Sequence, residues 1–176
     1  SVGENTLIDL AETIKTKYPL KPVILLTPIS TKETMDRLGM KDSRSIDYIF
    51  SWQGNTNIML AMVKLLEDRM NVDPDINNVG VQCIILVEDS VRYYSSYLPV
   101  IYETLIKQAR SLMKEGLNEW EQTIRMRGRP KILLARTYEE AISLYEKYKK
   151  NILGVISDIA YLKKGKIVND AGLTLC

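Results

Sequence analysis

The chain has 176 residues, of which 45% are hydrophobic, enough for a packed core in one ordinary domain or two incomplete ones. Its 24 basic and 22 acidic side chains nearly cancel without a dense Lys/Arg block, which argues against nucleic acid or an anionic membrane as a partner. Histidine is absent, so Ser/His and Cys/His nucleophile pairs, His-ligated metals and a phosphohistidine on this chain are excluded, and carboxylate chemistry remains.

In chain order, residues 4 to 17 read as an amphipathic helix with Leu7, Leu10, Ala11 and Ile14 on one face, stopped by Pro19 and Pro22. Residues 23 to 27 form a continuous apolar run, the mark of a parallel strand covered on both faces. A weaker helix is predicted from Thr31 to Leu38, then a strand at 46 to 50, then a helix from Asn55 or Thr56 to about Met70. VDPDINNVG, residues 72 to 80, reads as a linker, and VQCIILVEDS supplies a strand at 81 to 87 ending in Glu88 and Asp89.

A helix follows from Ser90 to about Lys114, continued from Leu117 to Arg125 after Gly116. The basic turn RMRGRP, residues 125 to 130, is expected to be a solvated charged loop with no site. Strand 131 to 135, helix 138 to 149 and strand 153 to 157 come next, with Asp158 at the end of the last strand. AGLTLC reads as the first turn of a further helix, as if the sequence were cut there. The alternation predicts an α/β fold: a three-layer, doubly wound parallel five-stranded sheet.

Apolar runs long enough to span a bilayer are absent, no signal-peptide pattern precedes the first charged residues, and the expected compartment is the cytoplasm. Cys83 and Cys176 have neither metal spacing nor a disulfide framework and read as free thiols. Tyr94, Tyr97, Leu98, Ile101, Leu105, Leu112, Leu117 and Trp120 extend an apolar stripe along helix 90 to 125, which is expected to cover itself in a homodimer.

Ligands of doubly wound sheets sit beyond the carboxyl ends of the strands. Glu88, Asp89 and Asp158 occupy such ends, and each alone is also an ordinary cap or loop residue. Should their strands be neighbours, the carboxylates converge and repel, a situation relieved by proton uptake or by a hard divalent cation, of which magnesium fits best. Asp158 is then the candidate nucleophile towards a phosphoryl donor, and Thr27, at another strand end, a candidate phosphoryl contact.

ILVEDS before a helix, with LGVISD ending at Asp158, resembles the first and third strands of a response-regulator receiver domain. AETIKTKYPLKPVILLTPIS and SIDYIFSWQGNTNIMLAMVKLLEDRM resemble the back half of another. The resemblance implies three segments: 1–72 as the C-terminal half of a first, degenerate receiver, 73–80 as a linker, and 81–176 as the N-terminal half of a second. It also implies a flavodoxin-like sheet of order 2-1-3-4-5, closed as a circularly permuted receiver within one chain or as a domain-swapped dimer. Magnesium is then held by Glu88, Asp89, Asp158 and the backbone carbonyl of Ala160, with Asp158 as phosphoacceptor and Thr27 as the hydroxyl that follows the phosphoryl group. Ser51 and Trp52 stand where receivers carry lysine and proline.

SIDYIFSWQGN, LVEDSVRYYSSYLP and MRGRPKILLARTYEEA resemble the receiver-like region preceding bacterial phosphoenolpyruvate synthase or pyruvate, phosphate dikinase-type proteins. That implies a regulatory role beside a phosphotransfer enzyme, partners among histidine kinases or small phosphodonors and the downstream catalytic domains, and no catalysis by the fragment itself. The alternative is a pseudo-receiver that only mediates assembly.

Overall fold

The computed structural model describes residues 2–28, 45–111 and 118–172. The helix expected at 31 to 38, the junction around Gly116 and the last four residues lie outside them. The chain divides into two units, residues 1–56 and 57–176.

The first unit holds α1 (Val2–Lys17), β1 (Ile24–Thr27) and β2 (Tyr48–Ser51). The two strands pair in parallel, with Thr27 opposite Ser51. Asp47 organises their start: one carboxylate oxygen accepts from the Val23 amide at 2.7 Å and lies 2.7 Å from Lys15 Nζ.

The second unit comprises α2 (Asn57–Val79), β3 (Cys83–Val87), α3 (Val91–Ser111), α4 (Glu119–Arg127), β4 (Lys131–Ala135), α5 (Tyr138–Tyr148), β5 (Ile152–Ser157), β6 (Tyr161–Lys163) and β7 (Lys166–Val168). The fold is mixed α/β with parallel sheets. Strands β3 to β5 form a three-stranded parallel sheet in the order β4-β3-β5. This is the order expected of the first three strands in a 2-1-3-4-5 sheet; among the described residues the hydrogen-bonded sheets contain two, three and two strands.

Alternation along the parallel strands builds the core. Ile85, Val87 and Ala135 pack with Ala141 of α5, Tyr161 and Ala171, while Cys83 and Leu133 pack with Val72 of α2 and Tyr148 of α5. Burial pushes the Cys83 thiol up to about 11, which keeps it protonated at neutral pH.

The expected linker at 73–80 is instead helical: α2 continues to Val79 with Pro74 inside it. Proline forfeits one helical hydrogen bond, a local cost opposed here by tertiary contacts. Val72 is buried, Ile76 packs beside it, Asp75 is buried in an ion pair, and Asp73 accepts from Lys147 Nζ and the Tyr148 hydroxyl, each at 2.9 Å. Gly80, with φ of +71°, supplies the left-handed residue that ends the helix, and its amide donates to the Ile76 carbonyl at 2.9 Å.

Thr137 caps α5, accepting from the Glu140 amide at 3.1 Å in the extended conformation of an N-cap. Thr137→Ala is expected to cost about 1 kcal/mol, read as a lower urea midpoint with an unchanged slope. No helix among the described residues is long and apolar enough to cross a membrane.

Candidate functional site

β3 is an apolar run, buried except for the half-buried Ile84, that ends abruptly in carboxylates. Glu88 is only 3% exposed, and its amide donates to the Ala135 carbonyl at 3.0 Å, so the main chain is still held by β4 where the side chain turns polar. On the other side of β3, Val87 stands opposite Ser157, and the Asp158 amide donates to the Val87 carbonyl at 3.0 Å. The register therefore sets Glu88 and Asp158 side by side at the carboxyl edge of the sheet.

The electrostatics reflect this convergence. Burial pushes the Glu88 carboxyl up to about 7; the Ser90 amide, donating to Glu88 Oε1 at 3.0 Å, opposes the rise, and the charges of Asp158 and Asp89 add to it. Ser90 also begins α3, its carbonyl accepting from the Tyr94 amide at 3.1 Å. Local bonds hold Asp158 as well: Oδ1 accepts from the Ile159 amide at 2.7 Å, and Ser157 Oγ donates to the Asp158 carbonyl at 2.8 Å.

The candidates thus fall into two sets. Glu88, Asp89 and Asp158 come together in the second unit, with Ala160 two residues further along the bend. Thr27 lies at the end of β1 in the first unit, buried, its carbonyl accepting from the Trp52 amide at 2.7 Å. The acidic residues make a hard, oxygen-rich donor set suited to a divalent cation. Among the described residues, no three acidic, cysteine or histidine side chains are gathered closely enough to hold a metal as they stand.

The loop after Asp158 is a β-hairpin, which the sequence reading missed. β6 and β7 pair in antiparallel fashion across Lys164 and Gly165, both at positive φ, and YLKKGKIV carries a Lys-Gly turn signal between β-forming residues. Tyr161 anchors the hairpin in the core, Leu162 bridges to Thr137, and the Lys164 amide donates to Glu139 at 2.9 Å.

A second polar assembly lies in the turn expected to be a solvated loop. Asp68, fully buried in α2, accepts from both terminal nitrogens of Arg129, at 3.0 and 2.7 Å, from the Tyr102 hydroxyl at 3.1 Å and from the Ile132 amide at 2.9 Å. Asp75, two helical turns later, pairs with Lys131 at 2.8 Å and with Arg127. Burial pulls the Asp75 carboxyl upward, but hydrogen bonds and charges from Lys131 and Arg127 outweigh it and hold the group below its usual range. A cavity of about 730 Å³, lined in part by Lys64, Asp75, Arg127 and Lys131, adjoins this assembly rather than the Glu88 site. The available sequence signal was a pair of periodicities: acids seven apart on a helix, and cations two apart entering a strand.

Comparison with family models, curated proteins and solved structures finds no match to this chain.

Proposed function

We propose that this chain is a receiver-type phosphoacceptor, a regulatory module of phosphorelay signalling in the cytoplasm, attached to a phosphoenolpyruvate synthase-type enzyme. The observation that carries the reading is the juxtaposition of Asp158 with the buried Glu88 and with Asp89 at the carboxyl edge of a parallel sheet. One carboxylate oxygen of Asp158 attacks the phosphorus of an acyl phosphate or a kinase phosphohistidine. The new oxygen–phosphorus bond forms as the bond to the leaving carboxylate or imidazole breaks, and that group departs with the electron pair. Glu88, Asp89, Asp158 and the Ala160 carbonyl would hold magnesium, which supplies charge neutralisation for the incoming phosphoryl oxygens.

In this reading the full sheet has five strands in the order 2-1-3-4-5, and β1 and β2 supply the fourth and fifth, in cis or from a second copy. That closure is the role proposed for Thr27 as phosphoryl contact. Of the stripe read along this helix, Tyr94 and Leu98 are buried within the chain itself and cannot face a second copy; the exposed Tyr97, stacked 6.2 Å from the exposed Tyr93, supports the proposed homodimer along α3.

Incubation with magnesium and acetyl phosphate is expected to add one phosphoryl group by intact mass, and Asp158→Asn is expected to abolish the adduct. A folded wild-type protein that takes no phosphoryl group and gives no amide shifts with magnesium and beryllofluoride would overturn this reading in favour of an assembly scaffold.

A further inference from the structure

We propose that Gly172 is a positioning residue for Asp158. After β7 the chain returns to the core at Ala171, fully buried against Ile85, Val87, Ala135, Ala141 and Tyr161. The next residue lies against the backbone of Asp158 and Ile159: the Gly172 amide donates to the Ile159 carbonyl at 2.9 Å. A methyl group at position 172 would overlap the Asp158 carbonyl oxygen and stand 3.1 Å from Ile159 Cα and 3.2 Å from the Asp158 carbonyl carbon.

These neighbours are backbone atoms, which cannot swing aside as the end of a long side chain can. Glycine is therefore demanded by space, in contrast to Gly165, whose positive φ serves the hairpin turn and beside which a methyl would meet nothing within 4 Å.

The Asp158–Ile159 backbone is thus held at both ends. The Asp158 amide donates to the Val87 carbonyl of β3, and the Gly172 amide donates to the Ile159 carbonyl. Ser157 Oγ adds a third hold on the Asp158 carbonyl. The carboxylate leaves the main chain from within this clamp, so the seating of Gly172 fixes its direction relative to Glu88, and the course of the chain to Ala160. Moving the clamp by a few tenths of an ångström re-aims an oxygen donor without altering the residues that form the site. The consequence for cation binding rests on the function proposed above; the backbone consequence does not.

The experiment compares wild type, Gly172→Ala, Ser157→Ala and Gly165→Ala by amide hydrogen exchange and by magnesium titration followed through the Glu88 and Asp89 amide resonances. In Gly172→Ala the Asp158 amide is expected to lose protection by about tenfold or more relative to Ile85, and magnesium affinity of the folded protein to fall by about 10- to 100-fold. Ser157→Ala tests the same clamp without a steric clash and is expected to weaken magnesium severalfold while leaving the fold intact, so the inference remains testable if Gly172→Ala does not fold. Gly165→Ala, which strains the hairpin turn, is expected to lower stability and leave magnesium affinity unchanged.

Unaltered Asp158 protection in a folded Gly172→Ala protein would overturn the positioning role, as would unaltered magnesium affinity in Ser157→Ala with wild type responding. A wild-type protein that gives no magnesium response would instead remove the cation-site reading, leaving the amide exchange result to decide the clamp.

Discussion

Asp68→Ala is expected to destabilise the second unit by about 3–5 kcal/mol, the range for deleting one partner of a buried ion pair. The side chain is fully buried and accepts from Arg129, Tyr102 and the Ile132 amide. Its removal leaves the guanidinium of Arg129, only 4% exposed, without its bidentate partner, and Lys131 Nζ, 3.9 Å from Asp68, with Asp75 alone. Much of the cost is therefore the stranded cation rather than the lost attraction. Asp68→Leu combined with Arg129→Met removes both charges and is expected to recover most of the loss, so urea unfolding of the single and double variants separates the two contributions. A single-variant loss below about 1 kcal/mol would show that the network does not fasten α2 to β4.

The second large effect is a dependence of stability on pH centred on Glu88. Its carboxyl rises from 4.5 to about 7 on folding, so between those values the folded protein binds a proton that the unfolded chain has released. The stabilising contribution of the neutral acid is fully present below pH 4.5 and is lost as pH rises through 7. From the size of the rise, that loss amounts to at most about 3 kcal/mol. Glu88→Gln, neutral at every pH, is expected to flatten this slope in urea unfolding followed from pH 5 to pH 8. A retained slope would assign the proton to another group. Under the proposed function, magnesium competes with this proton, and affinity is expected to climb with pH until Glu88 is ionised.

The strand ending in Glu88 and Asp89 was legible because an uninterrupted apolar run followed by two acids satisfies both the burial rule for parallel strands and the polarity of a sheet edge. The neighbourhood of Asp158 followed from the same logic once β5 paired with β3. Residues 72 to 79 were misjudged because turn composition is a local signal, whereas Val72, Asp73, Asp75 and Ile76 gain their contacts from α4, β4 and α5, elements far away in sequence. Arg127 and Arg129, in the turn read as a solvated loop, were misjudged for a related reason. A basic turn reads as solvated until its acidic partners are known, and these lie on a helix more than fifty residues earlier. The hairpin at 161 to 168 was concealed by its length, since two three-residue strands give little alternation to count.

The continuation of α2 through Pro74 also decides where the chain can be cut. Starting the polypeptide at Val81, just before β3, would discard Asp68 and Asp75 together. Arg129 and Lys131, both nearly buried, would then be a surplus of positive charge facing a surface stripped of its helix. Excision at Asn57 keeps every one of these ion pairs in a single piece. Electrostatic neutrality, more than the turn-like wording of VDPDINNVG, places the severable joint before α2.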